Sequence, residues 1–330
     1  MKRSILRLLA ALSAAALLTA GCAAPSATAE TDDGRPLVTA TVFPAYDLAR
    51  AVCGDLARVE LLLPPGAESH SYEPTPRDIL NVGASTLFIY VGGESDAWVD
   101  TLLESVDGGV NAMKMTDCVE LKEEDALEGM THRDHGHDDD DDHDGHGAHG
   151  EGEVLEYDEH VWTSPVNAAS ITRAVGERMA QADPANAAAY RANAAAEVEK
   201  LEELDRSFRA FFDTVEQKTM VFGDRFPLRY FADEYGLECY AAFPGCSTQT
   251  EPSAATVAFL TRKVREEGLG TVYYIEFSNH LVADSIAEAA GARTALFHSC
   301  HNVSQAELDA GATYLSLMEQ NLETLRATMK

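Results

Sequence analysis

The sequence contains no C-x-x-C, no H-E-x-x-H and no G-x-S-x-G motif. The first absence leaves a zinc–thiolate knot or a thioredoxin-like redox site unsupported, and the other two remove common signatures of zinc proteases and serine hydrolases. Basic residues are also few: 25 Lys and Arg stand against 55 Asp and Glu, a formal net charge of −30. Such a chain repels nucleic acid, so no nucleic-acid partner is expected, whereas a cation fits.

The apolar run near the start, Leu8–Ala20, is too short to span a bilayer comfortably and follows three basic residues, as in a secretory signal. It ends in the letters LTAGC, which resemble a bacterial lipoprotein signal in which Cys22 becomes the lipidated N-terminus. Residues 1–22 are therefore predicted to be a signal peptide and residues 23–36 a flexible linker. Acyl chains on Cys22 would anchor an exported protein to the outer face of the cytoplasmic membrane.

Cysteine is sparse, and the number left after Cys22 is odd. The remaining five are Cys53, Cys118, Cys239, Cys246 and Cys300. Cys246 and Cys300 are the first choice for a disulfide because both follow predicted strands of one domain, although pairing cannot be deduced from sequence alone. At least one thiol is left over.

What the chain has in abundance is histidine and aspartate in one segment. Six of its eleven histidines lie within eighteen residues, and between positions 123 and 159 sixteen acidic residues accompany one basic residue. With almost no apolar side chains, residues 119–157 are predicted to be a disordered loop. Its imidazoles and carboxylates suit weak capture of divalent metals, and a charged solubilising linker is the alternative. The histidines are His132, His135, His137, His143, His146 and His149.

Short β-rich segments alternate with helical ones on both sides of this loop, which predicts an α/β fold with parallel sheets. Residues 37–118 and 218–330 form two such α/β lobes, 158–164 are a return segment, and 165–217 are linking helices restarted at Pro184. The predicted strands are Leu37–Val42, Arg58–Leu63, Thr86–Val91, Val110–Met115, Thr219–Phe222, Glu238–Phe243, Thr271–Glu276 and Thr294–Phe297. The predicted helices of the lobes are Ala45–Val52, Thr75–Val82, Asp96–Glu104, Pro227–Tyr235, Ser253–Glu267, His280–Ala290 and Ser304–Met329.

Four histidines outside the loop are placed where such sheets bind ligands. His70, His298 and His301 follow predicted strand ends, and His160 begins the return from the loop. Each alone is more often a surface or core-edge histidine, but together they suit zinc, which accepts four nitrogen ligands in tetrahedral geometry. For His301 the alternative is an outward helix-cap residue.

Several motifs resemble the solute receptors of zinc and manganese ABC importers. They are FPAYD at 43–47, LPPG at 63–66, HSYEPTPRD at 70–78, HVW at 160–162 with PVN at 165–167, and YLSLM at 314–318. The resemblance covers the mature chain from about Val38 and implies two pseudo-symmetric α/β lobes joined by a long helix, with the metal between them. It also implies that His70 and His160 are ligands and that the His-rich loop precedes the second ligand.

The sequence departs from this family's pattern at the other two ligand positions. Arg225 stands where the family has His or Glu, and arginine has no lone pair for a metal. His298 is aligned with the usual fourth ligand, an Asp, so the set is predicted to be His70, His160, His298 and His301. Glu73 and Asp158 are expected to orient ligand rings. For Arg225 a salt bridge with Glu276 or Asp224 is favoured, and metal ligation by Glu276 is the less favoured alternative.

The predicted function is extracytoplasmic capture of Zn(II) and its delivery to an ABC permease by a monomeric lipoprotein. Mn(II) is the alternative cargo, although a nitrogen-rich set argues against it. Two other classes of function stay open. One is a secreted zinc hydrolase, with Glu73 or Glu276 as the general base, and the other is an adhesive lipoprotein that binds no metal tightly.

Overall fold

The computed structural model describes residues 34–67, 69, 72–93, 96–106, 109–124, 127–130, 157–245 and 251–330. They contain two four-stranded sheets whose strands all run parallel and are flanked by helices. The predicted α/β architecture with two parallel sheets is therefore confirmed. Within these ranges no helix is both long and apolar enough to cross a membrane.

The N-terminal lobe consists of a β/α series with strand order β2-β1-β3-β4. Its elements are β1 (Leu37–Ala40), α1 (Phe43–Cys53), β2 (Arg58–Leu61), α2 (Pro76–Ala84), β3 (Leu87–Tyr90), α3 (Ala97–Ser105) and β4 (Ala112–Lys114). Helix α2 starts at a capping box, in which Thr75 and Asp78 satisfy each other's backbone N–H groups. The order reverses between β1 and β3, and ligands bind beyond the carboxyl ends of strands at such a point.

Two long helices join the lobes: α4 (Pro165–Ala182) and α5 (Ala187–Phe212). Helix α4 begins where the sequence predicts, because the Ser164 side chain accepts a hydrogen bond from Asn167 N and a proline follows it. The two helices approach closely at Gly176, where an added Cβ would lie 2.6 Å from Ala194 Cβ. Close packing of long helices gives the lobes a stiff connection.

The C-terminal lobe repeats the topology with strand order β6-β5-β7-β8. Its elements are β5 (Thr219–Phe226), α6 (Arg229–Tyr235), β6 (Glu238–Pro244), α7 (Ala254–Glu266), β7 (Thr271–Tyr274), α8 (Leu281–Ala290), β8 (Arg293–Leu296), α9 (Gln305–Asp309) and α10 (Tyr314–Thr328). The matching strand order is the pseudo-symmetry that the resemblance implies. Its reversal point lies between β5 and β7.

The prediction of one continuous helix over Ser304–Met329 is wrong. Gly311 has φ of +79°, a left-handed conformation that ends a helix, and the Thr313 side chain then accepts a hydrogen bond from Ser316 N to start the next one. The break aims the first N–H of α10, from Tyr314, at Asp47 Oδ2 on α1, 2.7 Å away. The C-terminal helix is thereby fixed to the N-terminal lobe.

The predicted start of the acidic loop at residue 119 is too early. Met130 is buried in the main core, as expected for an apolar side chain. Glu123 forms an antiparallel bridge with Tyr157, and Asp158 N donates to Lys122 O at 2.9 Å. The segments before and after the acidic loop therefore lie side by side. The predicted linker is likewise one residue too long, because Pro36 O accepts a hydrogen bond from Arg58 N beside the sheet.

Candidate metal centre

A small cavity of about 30 Å³ lies at the carboxyl ends of β5 and β7. It has room for about two water-sized groups. Its walls come from both lobes and from the return segment, which brings together two of the predicted ligands, His160 and His301. The lining residues are Ala67, Ser69, His160, Arg225, Pro227, Gly245, Ile275, Glu276, Phe277, Ser299, His301 and Asn302.

His160 is buried and is held by the neighbouring Asp158. Asp158 Oδ1 lies 2.8 Å from His160 N and 3.1 Å from its ring Nδ1. Because a carboxylate accepts hydrogen bonds, Nδ1 carries the proton and Nε2 keeps its lone pair. This carboxylate–imidazole pair is the arrangement that fixes the tautomer of metal-binding histidines. The predicted orienting role of Asp158 thus has a matching geometry.

The pKa of His160 is set by opposing effects. Burial alone would lower it, but the negative charges of Asp158, Glu159 and Glu124 raise it by more, so the net pKa lies above its ordinary value. The same charges favour any cation at the ring. Protons and a divalent metal therefore compete for this imidazole.

Asp158 itself is positioned by the C-terminal lobe. The Tyr230 hydroxyl on α6 donates to Asp158 O at 2.8 Å and accepts from Lys122 N at 3.2 Å. The Lys122 ammonium forms an ion pair with Asp233 on the same helix. Helix α6 consequently contacts both segments that flank the acidic loop, including the one that presents His160.

Trp162 contacts both cavity histidines. Its ring centroid lies 5.4 Å from that of His160 and 5.2 Å from that of His301, both at steep interplanar angles. Its Nε1–H donates to Ser299 O at 2.9 Å, and the Tyr314 hydroxyl donates to Trp162 O at 2.7 Å. The indole therefore couples the return segment to the turn that carries His301.

His301 comes from a tight turn after β8 and faces His160 at a centroid separation of 5.6 Å. The turn is built on Glu276, whose carboxylate accepts from Ser299 N at 2.7 Å, from Ser299 Oγ at 2.6 Å and from His301 N at 3.1 Å. Cys300 between them has φ of +62°, a left-handed conformation uncommon outside glycine. Glu276 thus anchors the turn, and its ion pair with Arg225 stays a prediction.

His298 is buried but is not among the residues that line the cavity. Its Nδ1 accepts a hydrogen bond from Cys300 N at 2.9 Å, and its backbone N donates to Asn321 Oδ1 at 2.7 Å. A neutral ring whose Nδ1 accepts carries its proton on Nε2, which lies 3.8 Å from Glu307 Oε1. This geometry holds the turn, and Nε2 is buried without a hydrogen-bond partner in the described part of the chain.

Arg225 lines the cavity at the end of β5, where the register against β6 shifts between Phe222 and Arg225. A bulge of this kind re-aims side chains next to functional sites. Asp224 supports it by accepting hydrogen bonds from Arg225 N at 2.8 Å and from Ile275 N at 3.2 Å. Glu73, in contrast, is exposed and does not line the cavity.

His70, Cys22, Cys246 and the six loop histidines lie outside the described residues. The segment that leads to His70 is nevertheless tied to the turn: Asn302 Nδ2 donates to Pro64 O and Ala67 O, each at 2.9 Å. Ser69 lines the cavity, and its buried hydroxyl has no hydrogen-bond partner in the described part of the chain. Among the described residues alone, no group of three His, Cys, Asp or Glu could hold a metal.

Cys300 is a free and fully buried thiol, and burial raises its pKa well above the ordinary value. Its Sγ points towards His298 O, 3.9 Å away. The structure therefore gives the predicted disulfide with Cys246 no support.

Sequence reasoning missed Trp162, Asn302 and Ser299 as parts of the centre. Their signal was adjacency: Trp162 follows His160 by two residues, and the other two flank the pair Cys300-His301. Adjacency alone does not indicate which neighbours face the cavity.

The family model described as "Zinc-uptake complex component A periplasmic" matches residues 38–328. The high-affinity zinc uptake system protein ZnuA of Bacillus subtilis is 33% identical over 324 residues, which cover 96% of this chain and 96% of that protein. The zinc-binding lipoprotein AdcA of Streptococcus pneumoniae is 31% identical over 298 residues, 90% of this chain. The chain spans only 56% of the length of that relative.

Among solved structures, the Zn(II)-bound ZnuA-like domain of Streptococcus pneumoniae AdcA aligns with a TM-score of 0.71 and 29% identity. The alignment covers 89% of this chain and 99% of that domain. The similarity therefore extends over both lobes.

Proposed function

The chain belongs to the family of periplasmic zinc-uptake components whose model it matches over residues 38–328, and on this premise we propose that it captures Zn(II) outside the cytoplasm. The ion binds in the cavity between the lobes and is delivered to the permease of an ABC importer. Support for capture in the cavity comes from one observation above all. His160, with its tautomer fixed by Asp158, shares the cavity with His301.

The proposed protein ligands are His160, His301 and His70, with His298 in a supporting role. Ser69, next to His70 in the chain, lines the same cavity, and Asn302 holds the segment before it. Imidazole nitrogens suit zinc, whereas manganese prefers carboxylate oxygens. The cavity carboxylate, Glu276, already accepts hydrogen bonds from the turn, which favours zinc over manganese as the cargo.

The same engagement of Glu276 argues against hydrolysis. A hydrolytic zinc site needs a general base within reach of the bound water. Glu276 is committed to three donors, and exposed Glu73 is absent from the cavity wall. Capture and release of the ion is the simpler role for this centre.

Calorimetric titration of the metal-free mature protein with Zn(II) and Mn(II) tests the proposal. We expect one tight zinc site, and we expect that His160→Ala and His301→Ala each weaken it by at least about a hundredfold, since each removes a ligand. His280→Ala is the matched control, because His280 is exposed and pairs with Asp284 at 2.8 Å on α8, away from the cavity. A tight site that survives both cavity substitutions would refute the proposal.

The His-rich loop is proposed to supply weaker auxiliary sites. Deletion of residues 131–150 should abolish additional weak binding in the same titration while the tight site keeps its affinity. Loss of the tight site on deletion would place the centre in the loop instead.

Attachment to the membrane is proposed to occur through lipidated Cys22. Metabolic labelling of the full chain with a fatty-acid analogue should label the wild type and leave Cys22→Ala unlabelled. Equal labelling of both proteins would contradict the anchor.

A further inference from the structure

Helix α10 contacts both of the segments that carry the cavity histidines. At the start of the helix, the Tyr314 hydroxyl donates to Trp162 O at 2.7 Å. Seven residues later, Asn321 Oδ1 accepts from His298 N at 2.7 Å, and Asn321 Nδ2 donates to His298 O at 2.8 Å. Seven residues make about two helical turns, so both side chains lie on one face of the helix. One helix therefore supports the return segment and the turn after β8.

The contact at Trp162 holds more than the indole. Trp162 lies in a short turn after His160, and this turn is closed by Thr163, whose backbone N and Oγ1 donate to His160 O at 3.1 and 2.9 Å. The indole ring lies against His160 and His301, at centroid distances of 5.4 and 5.2 Å. A shift of Trp162 would therefore disturb the imidazoles on both sides of it.

The contact at Asn321 acts on the segment of the second histidine. His298 begins the turn that presents His301, and both of its backbone polar groups bind the Asn321 amide. His298 and Asn321 are both buried, so these groups need partners within the protein, and each supplies them to the other. The start of the turn is thus fixed relative to α10.

The helix itself is held by the opposite lobe. Asp47 on α1 accepts a hydrogen bond from Tyr314 N at 2.7 Å, and both residues are buried. This N–H is among the first four of the helix, which have no partner within it, and a carboxylate is favourable at this positive end. Asp47 thus fixes the place of Tyr314 and of its hydroxyl.

We propose that α10 sets the distance between His160 and His301 and thereby the affinity for zinc. Tyr314 and Asn321 are the positioning residues, and Asp47 fixes the helix to the N-terminal lobe. This role rests on the proposed function, and it requires nothing of the other donors to the ion. Residues that hold ligands in place typically contribute about ten- to a hundredfold to metal affinity.

Tyr314→Phe tests this role directly, because it removes one hydroxyl and keeps the buried ring. We expect the zinc affinity measured by calorimetry to fall about tenfold. Tyr273→Phe is the matched control, since the Tyr273 hydroxyl pairs with Thr328 Oγ1 at 2.7 Å at the other end of α10, and its ring is also buried. Each variant loses one hydrogen bond, so both should lower stability to urea by a similar amount, but Tyr273→Phe should keep the zinc affinity of the wild type.

Cobalt(II) gives a readout that a loss of stability alone does not change, because its visible spectrum depends on the arrangement of its ligands. Cobalt-loaded Tyr314→Phe should have a shifted spectrum. Cobalt-loaded Tyr273→Phe should have the spectrum of the wild type.

Substitutions of Asp47 test the connection to the N-terminal lobe. Asp47→Ala removes the acceptor for Tyr314 N and should weaken zinc binding as Tyr314→Phe does, whereas Asp47→Asn keeps an oxygen there and should recover most of the affinity. Combining Asp47→Ala with Tyr314→Phe should weaken binding scarcely more than either change alone, because both act through the same contact with Trp162.

Equal zinc affinity and equal cobalt spectra in the wild type and Tyr314→Phe would overturn the inference and leave the proposed function intact. An equal loss of affinity in Tyr273→Phe would also overturn it, since zinc binding would then follow stability alone. Absence of tight zinc binding in the wild type would overturn both.

Discussion

The two histidines of the cavity are held by carboxylates that act on different atoms. Asp158 binds the ring Nδ1 of His160 and so determines which nitrogen is free. Glu276 binds the backbone N of His301 and the residue Ser299, so it determines the shape of the turn. One acidic residue therefore tunes the chemistry of a candidate ligand, whereas the other builds the turn that presents a candidate ligand.

The largest effect should follow from Glu276→Gln. The new NH₂ group would face donors where the carboxylate accepted, so we expect a loss of about 3 kcal/mol in the free energy of unfolding together with weakened zinc binding. Thermal and urea denaturation would measure it. Glu319→Gln, on the exposed face of α10, is the control and should change stability little. An unaltered stability would show that the turn does not depend on Glu276.

Asp158→Asn should affect binding more than stability. The amide keeps an oxygen for His160 N and Nδ1 but loses the negative charge that makes the ring a better ligand, so zinc affinity should fall by about ten- to a hundredfold. Calorimetry measures the affinity, and denaturation checks that the fold is retained. If binding were unchanged, Asp158 would have no part in setting the ligand.

The pH dependence of zinc binding tests the role of Asp158 separately from that of Glu276. The pKa of His160 is raised, so protons displace zinc as pH falls through a value above about 6.5, the ordinary pKa of histidine. Asp158→Asn removes one of the charges that raise this pKa, and the loss of affinity should therefore begin at lower pH than in the wild type. Competition titrations between about pH 5 and 8 measure the midpoint. A midpoint that stays in place or rises would contradict the assigned cause.

The smallest effect is expected for His298→Asn. Asparagine can place an oxygen where Nδ1 accepts from Cys300 N, so the turn should survive and zinc affinity should change by only about threefold. His301→Asn, the matched change three residues later, should abolish tight binding. A comparable loss in both variants would restore His298 to the ligand set.

Sequence patterns predicted most of the fold because they are local. Alternating β and α segments, the proline after Ser164 and the capping signals specify elements through contacts between near neighbours. Gly311 breaks a helix that looked continuous, since the periodic apolar residues on both sides concealed the stop. The loop boundary at 119 was predicted too early because few apolar residues accompany the acidic ones there, yet Met130 is buried.

The site was predictable only in part. In parallel sheets, ligands bind beyond the carboxyl ends of the strands near the strand-order reversal. Histidines that follow predicted strands could therefore be expected to converge there. Which of His298 and His301 faces the cavity depends on the left-handed backbone of Cys300 and on Glu276, which lies 25 residues before His301. No spacing rule reveals such a turn.

Local propensity and apolar periodicity encode the two α/β lobes, the linking helices and the types of side chain available for a metal, so these features can be read without the structure. The packed structure adds that the Glu276 carboxylate is engaged by the turn before His301 and that Arg225 shares the cavity with two histidines. These contacts join residues far apart in the chain and form only after the lobes have packed together, whereas Asp158 and His160 are near neighbours whose pairing was predictable.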